Sequence, residues 1–280
     1  MIRIDQVSKN YAEIKALDGL ELEVLPGEVF GLLGPNGAGK STAMNLIAGI
    51  AAPDSGSIRV LGGDPRSAAI RARIGLAPQA LSLYAELSGR ENLEFFGRIY
   101  GRSGAELAAR VDAALAFVLL SERQHDRVVG YSGGMQRRLN IAAALVHEPE
   151  LMLLDEPTVG VDPQSRNAIF DHVLALKAAG KTVLYTTHYM EEAARLCDRI
   201  AIMDHGRVLA LGTLSQLLAR HGGPNTLVVR RNGSELSEPC SDPLPRLNQL
   251  AAEGGIDEFR LERPTLEQVF LHLTGRSLRD

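Results

Sequence analysis

The stretch Gly34-Pro35-Asn36-Gly37-Ala38-Gly39-Lys40-Ser41-Thr42 restricts the fold more than any other part of the chain. It matches G-x-x-x-x-G-K-[ST]. It stands between an apolar strand-like run, Glu28 to Leu33, and a helical pattern that continues to about Gly49. Glycines let backbone N–H groups turn inward toward phosphate oxygens with no Cβ in the way. The loop feeds a helix N-terminus, whose partial positive charge favours an anion. In such a loop the residues from Gly34 to Thr42 form the cradle, Lys40 reaches the β- and γ-phosphates, and the Ser41 hydroxyl ligates Mg²⁺. A strand entering and a helix leaving make the loop a βα turn, so the chain is expected to be α/β.

The remaining runs fit that class. Leu151 to Leu154 and Thr182 to Thr187 are continuous apolar or β-rich runs, and a helix is expected from about Met190 to Cys197. Arg199 to Met203 and Arg207 to Ala210 read as a hairpin around His205-Gly206. Apolar runs alternating with helices predict a mostly parallel sheet covered on both faces. About 81–149 is rich in Ala, Leu, Glu and Arg, without clear strands, and reads as an inserted helical subdomain. The Gly222-Gly223-Pro224-Asn225 break separates a nucleotide-binding domain, 1–221, from an accessory segment, 222–280. That segment reads as a short β-rich stretch (Thr226 to Arg231), a Pro/Ser-rich loop and a closing helix. Thr265 and Gln268 form a capping box there, and Leu266, Val269, Phe270 and Leu273 form one apolar face.

Two further constellations carry chemistry. Asp155 and Glu156 end an apolar strand, at the sheet edge where open α/β folds bind ligands. Asp155 is suited to hold Mg²⁺, and Glu156 to take a proton from an attacking water. Tyr131-Ser132-Gly133-Gly134-Met135-Gln136 is a second glycine-rich helix start, again an anion site by its Ser132 hydroxyl and the N–H groups of Gly133 and Gly134. One nucleotide does not need two cradles in one chain.

Together these motifs resemble those of ATP-binding cassette (ABC) ATPases, over roughly Met1 to Ala219. The resemblance implies a P-loop NTPase with an inserted helical subdomain and a small C-terminal α+β extension. It also implies that ATP is bound and hydrolysed with Mg²⁺. Tyr11 resembles the aromatic that stacks on adenine. Gln79, in Gly75-Leu76-Ala77-Pro78-Gln79, resembles the glutamine that contacts Mg²⁺ or the attacking water. Asp162, in Val159-Gly160-Val161-Asp162, resembles a loop facing a second subunit, although Asp before Pro163 is also an ordinary helix start. His188, at the end of TVLYTT, resembles the γ-phosphate donor. YSGGMQ resembles the family signature LSGGQ, departing from it at Tyr131 and Met135. In that family the signature of one subunit and the phosphate loop of another clamp one γ-phosphate. A homodimer, or pairing with a second such ATPase, is therefore expected. The tail from Arg263 to Arg276 resembles type-2 exporter ATPases of the daunorubicin- or multidrug-resistance-like group.

That resemblance implies an integral membrane permease as partner and a cytoplasmic location, peripheral on the cytoplasmic face of the membrane. No run reaches the roughly 18 apolar residues of a membrane span. A formal charge of −4 gives no overall reason to bind nucleic acid, and none is expected. Cys197 and Cys240, the two cysteines, have no metal spacing and no disulfide framework, as suits a reducing cytosol. Ser88-Gly89-Arg90 lacks a second glycine and reads as a loop and helix start.

Overall fold

The computed structural model describes residues 1–231 and 233–275. Contacts divide the chain into Met1–Leu211 and Gly212–Asp280. The first unit is built on strands β1 (Ile2–Tyr11), β2 (Ile14–Val24), β3 (Val29–Leu33), β4 (Ser55–Val60), β5 (Ile74–Ala77), β6 (Leu151–Asp155), β7 (Thr182–Thr187), β8 (Arg199–Asp204) and β9 (Arg207–Gly212). Its helices are α1 (Lys40–Ile47), α2 (Ala68–Arg71), α3 (Gly89–Ile99), α4 (Gly104–Phe117), α5 (Gly133–Leu145), α6 (Pro163–Ala178) and α7 (Met190–Leu196).

The central sheet has six strands in the order β5-β6-β7-β3-β8-β9. The β5–β6, β6–β7, β7–β3 and β3–β8 pairs are all parallel. Because side chains alternate along a strand, each buried strand feeds two cores. Leu151 and Leu153 of β6 join one with Phe30, Leu32 and Leu184, while Met152 and Leu154 join the other with Val29, Val183 and Tyr185. The first core also takes Ala43, Met44, Leu46 and Ile47 of α1. Burial of Met44, Leu46 and Ile47 contributes about 1.5–3 kcal/mol each and anchors the helix that follows the glycine loop.

A second, antiparallel sheet, β2-β1-β4, closes over that core through Ile2, Ile4, Leu20 and Leu22. No sequence pattern announced it. β1 and β2 pair with register shifts, so their apolar residues do not keep strict alternation.

Helices α3, α4 and α5 build a third core from Leu93, Leu107, Val111, Leu115 and Leu139. Helix α5 belongs to two cores at once: Leu139 and Ala142 face the helical cluster, and Ile141 and Ala144 face the sheet. It is the rigid link between insertion and sheet.

The second unit has α8 (Leu214–His221), β10 (Thr226–Arg231), β11 (Ser234–Pro239), α9 (Pro243–Ala252), β12 (Ile256–Glu262) and α10 (Leu266–Thr274). Its sheet is antiparallel, β11-β10-β12, with Leu227, Val229 and Leu250 at its core. The Pro/Ser-rich segment expected to be a loop is strand β11 and helix α9, and β12 follows. β11 is largely polar and exposed, and pairing with β10 makes it a strand where periodicity does not. The division between units falls at Leu211, ahead of the Gly222 break, because α8 packs against α10. The expected capping box of Thr265 and Gln268 is present, and Leu266, Val269 and Phe270 are buried. Arg276, the last residue of the tail motif, lies outside the described residues.

Candidate functional site

The glycine loop begins where β3 ends. The Gly34 N–H donates to the Thr187 carbonyl at 3.3 Å, tying the loop to the end of β7. Gly39 has φ +102°, and a Cβ there would stand 2.6 Å from the Ala16 carbonyl oxygen, so only glycine fits. Helix α1 starts with no side-chain cap, unlike α3, α5 and α6. Its first N–H groups have no intrahelical partner, and Ser41 is exposed beside them. Lys40 folds back into the loop. Its Nζ donates to the carbonyls of Gly34 at 2.8 Å and Pro35 at 3.0 Å, and lies 3.0 Å from Glu156 Oε1. Both charged side chains of that pair are buried.

Asp155 ends β6, and its Oδ1 accepts from Thr186 Oγ1 at 2.6 Å. Thr186 Oγ1 in turn accepts from the Glu156 N–H at 2.9 Å. Glu156 has φ +46°, a region uncommon for a side-chain-bearing residue. That turn sends its carboxylate away from the strand toward the loop. Glu156 Oε2 lies 3.3 Å from Gln79 Nε2 and 3.3 Å from His188 Nδ1. The second separation has ion-pair length without hydrogen-bond alignment. Lys40, Gln79 and His188 are thus brought onto the Glu156 carboxylate at the C-terminal edge of the parallel strands.

Gln79 is held from behind by α5. Arg137 Nη1 donates to the Gln79 carbonyl at 2.7 Å, and Asn140 Nδ2 donates to the Pro78 carbonyl at 3.1 Å. Burial lowers the Arg137 pKa from its ordinary value, opposed by Asp155 and Glu156.

Ser132, Gly133 and Gly134 are not joined to that cluster by any hydrogen bond among the described residues. Ser132 Oγ accepts from the Met135 N–H at 3.2 Å as the N-cap of α5. Ser132 and Gly133 are exposed, whereas Gly134 is buried against Ser165 at the start of α6. Asp162 caps α6, its Oδ1 accepting from the Ser165 N–H at 2.9 Å. Gln136 Nε2 donates to the Val128 carbonyl at 3.2 Å, closing the turn before the helix. The Tyr131 hydroxyl donates to the Arg123 carbonyl at 2.7 Å. Ser88 starts α3 with a capping box: its Oγ accepts from the Glu91 N–H, and Glu91 accepts from the Ser88 N–H. Tyr11 also stands apart, 46% exposed at the end of β1, with Lys9 Nζ 5.6 Å from its ring centroid.

Sequence reasoning missed Thr186, Arg137, Asn140 and Glu192. Only Glu192 had a local signal, standing one helical turn after His188.

The sequence profile of the family described as ABC transporter matches residues 17–159. The linearmycin resistance ATP-binding protein LnrL of Bacillus subtilis (strain 168) is 40% identical over 311 aligned positions, covering 100% of both chains. The daunorubicin resistance ATP-binding protein DrrA3 of Streptomyces coeruleorubidus is 43% identical, over 98% of this chain and 96% of its own. Among solved structures, a dimeric ATP-binding cassette in a post-hydrolysis state, bound to ADP and Pi, superposes with a TM-score of 0.71 at 29% identity. It covers 76% of this chain and 99% of its own. With the glycine loop, the acidic strand end and the second glycine-rich helix start arranged as above, the chain belongs to the ABC transporter family and is one of its ATP-hydrolysing, ATP-binding subunits.

Proposed function

We propose that this chain powers an exporter as one of two ATPase copies docked on a separate membrane permease at the cytoplasmic face. The observation that carries the reading is the split between two clusters. Lys40, Gln79, Glu156 and His188 converge on one edge, while the Ser132–Gly133 cradle stands exposed and unjoined to it. Each cluster is half of an active centre, and a two-fold dimer supplies both halves twice. Among the described residues, no helix is long and apolar enough to cross a membrane, so translocation falls to another chain. Export is supported by relatives named for resistance and, in Paraburkholderia xenovorans (strain LB400), for Nod factor export at 44% identity.

The phosphates of ATP enter the glycine loop and replace the Gly34 and Pro35 carbonyls as partners of Lys40. Tyr11 offers an open ring for adenine. Glu156 orients the attacking water and accepts its proton as oxygen bonds to the γ-phosphorus. His188 donates to the transferring phosphoryl group. Ser132 and the N–H groups of Gly133 and Gly134 of the second copy complete the donor set, with Asp162 at the same interface. The exposed Ser41 hydroxyl, the Asp155 carboxylate and the Gln79 side-chain oxygen would hold Mg²⁺. Among the described residues no group of three or more His, Cys, Asp and Glu forms a metal cage of its own. Held there, the ion would supply positive charge against the phosphates. Loss of the γ-phosphate removes what joins the two halves, and the permease reads the opening as motion.

Glu156→Gln tests this. Turnover falls by about 10²–10⁴-fold, ATP still binds, and sedimentation with ATP shows a dimer absent without it. Near-normal turnover, or a monomer under saturating ATP, overturns the reading.

A further inference from the structure

Helix α7 carries a carboxylate that the reaction above does not use. Glu192 is 2% exposed. Its nearest cationic atom is Arg166 Nε at 3.9 Å from Oε1. A buried carboxylate costs several kcal/mol unless hydrogen bonds replace its water. Here three hydroxyls do so. Thr158 Oγ1 donates to Oε1 at 2.7 Å, and Tyr185 Oη and Thr187 Oγ1 donate to Oε2 at 2.9 and 2.8 Å.

The placement of those hydroxyls carries the argument. Thr187 directly precedes His188. An ionised carboxylate only accepts, so it draws the Thr187 proton toward itself and leaves the oxygen's lone pairs free. The Tyr189 N–H donates to that same oxygen at 2.9 Å. Both flanks of His188 are thereby stitched together, and the His188 ring lies 4.1 Å from the Tyr189 ring, over which Arg166 sits. Thr158 stands two residues beyond Glu156. The Val159 N–H donates to the Glu156 carbonyl and the Val161 N–H to the Thr158 carbonyl, both at 3.3 Å. One carboxylate therefore grips the turn carrying His188 with one oxygen and the segment leaving Glu156 with the other.

We infer that Glu192 is a positioning residue for ATP hydrolysis, bridging Thr158 and Thr187 so that His188 and Glu156 keep their mutual placement. The inference rests on the roles proposed for Glu156 and His188. A leucine or methionine would fill the site without the desolvation cost. The carboxylate adds acceptors for three hydroxyl donors, two on strand β7 and one on the segment that leaves Glu156.

Glu192→Gln keeps the shape but puts an amide donor where an acceptor stood, so at least one hydroxyl must turn round. The expected result, by analogy with partners that orient reactive groups, is a kcat about tenfold lower. KM for ATP stays within about twofold, because Glu192 touches neither Lys40 nor the glycine loop. The decisive measurement is a double-mutant cycle. In a His188→Ala background, Glu192→Gln should cost a smaller fold-loss than in the wild type, since no imidazole remains to be placed and only the Glu156 segment is left to disturb. Thr158→Val, which removes one hydroxyl and leaves the other two, should lower kcat in the same direction without moving KM. It serves as the test should Glu192→Gln not fold. Unchanged kcat in both variants, or an equal fold-loss with and without His188, overturns the inference and leaves the active centre standing. Wild-type turnover in His188→Ala and Glu156→Gln alone removes the active-centre assignment and this inference with it.

Discussion

His147 shows how a residue outside the chemistry sets a pH limit on the fold. It is 2% exposed, its ring is stacked on Tyr100 at 3.7 Å, and its Nε2–H donates to the Ile74 carbonyl at 3.1 Å. Nδ1 has no hydrogen-bond partner among the described residues. Burial, reinforced by Arg102, Arg110 and Lys181, lowers its pKa from 6.5 to about 4. The unfolded chain therefore takes up a proton below about pH 6.5 that the folded chain refuses until about pH 4. Stability is present above that window and is lost as pH falls through it. Between pH 7 and about pH 5 the loss from this group is about 2 kcal/mol. Urea unfolding at the two pH values should show a smaller difference in His147→Gln than in the wild type. Equal differences would exclude His147 as the cause. Neither the stacking ring nor the surrounding cations could be read around His147, because Tyr100, Ile74 and Lys181 reach it only in the fold.

At the scale of elements, α5 separates two glycines that look alike in sequence. A Cβ on Gly134 would land on Ser165 Oγ, with Ser165 Cβ 2.5 Å away, so the start of α6 would have to move. A Cβ on Gly133 would meet only the Gly160 carbonyl, at 3.8 Å, an ordinary contact. Gly134→Ala should lower stability by about 1–3 kcal/mol through overpacking. Gly133→Ala should leave thermal unfolding unchanged and still lower turnover, since in the proposed dimer the phosphate that approaches that glycine is held by the other copy. A stable, fully active Gly133→Ala would count against the second cradle. The capping signals of α3 and α10 were legible because the bonds of a capping box span only three residues. Strand β11 was not, because polar residues become an edge strand only when β10 lies beside them.

At the scale of the whole molecule, the shared centre proposed above makes an unusual demand. Ser132→Arg alone spoils both centres of a homodimer, and Lys40→Ala alone does the same. Mixed in equal amounts, half the dimers carry one centre with neither change. Turnover should therefore recover to about one quarter of the wild-type value, provided each centre works by itself. A mixture as inactive as its parts would mean that each chain completes its own centre.

The motifs named Lys40, Ser41, Asp155, Glu156 and Ser132 without any structure, because phosphate and proton chemistry restrict residue type at short spacing, whereas Gln79 and His188 came from the family resemblance. The parallel sheet was legible for a related reason: strands buried on both faces must be apolar throughout. Tertiary structure alone decided that Gln79 and His188 meet on the Glu156 carboxylate, that Arg137 and Asn140 brace the loop before Gln79, and that the Thr158 hydroxyl reaches the Glu192 carboxylate. These are contacts between segments far apart in the chain. Sequence spacing does not encode them, because what brings the segments together is burial of the two cores on either side of the sheet.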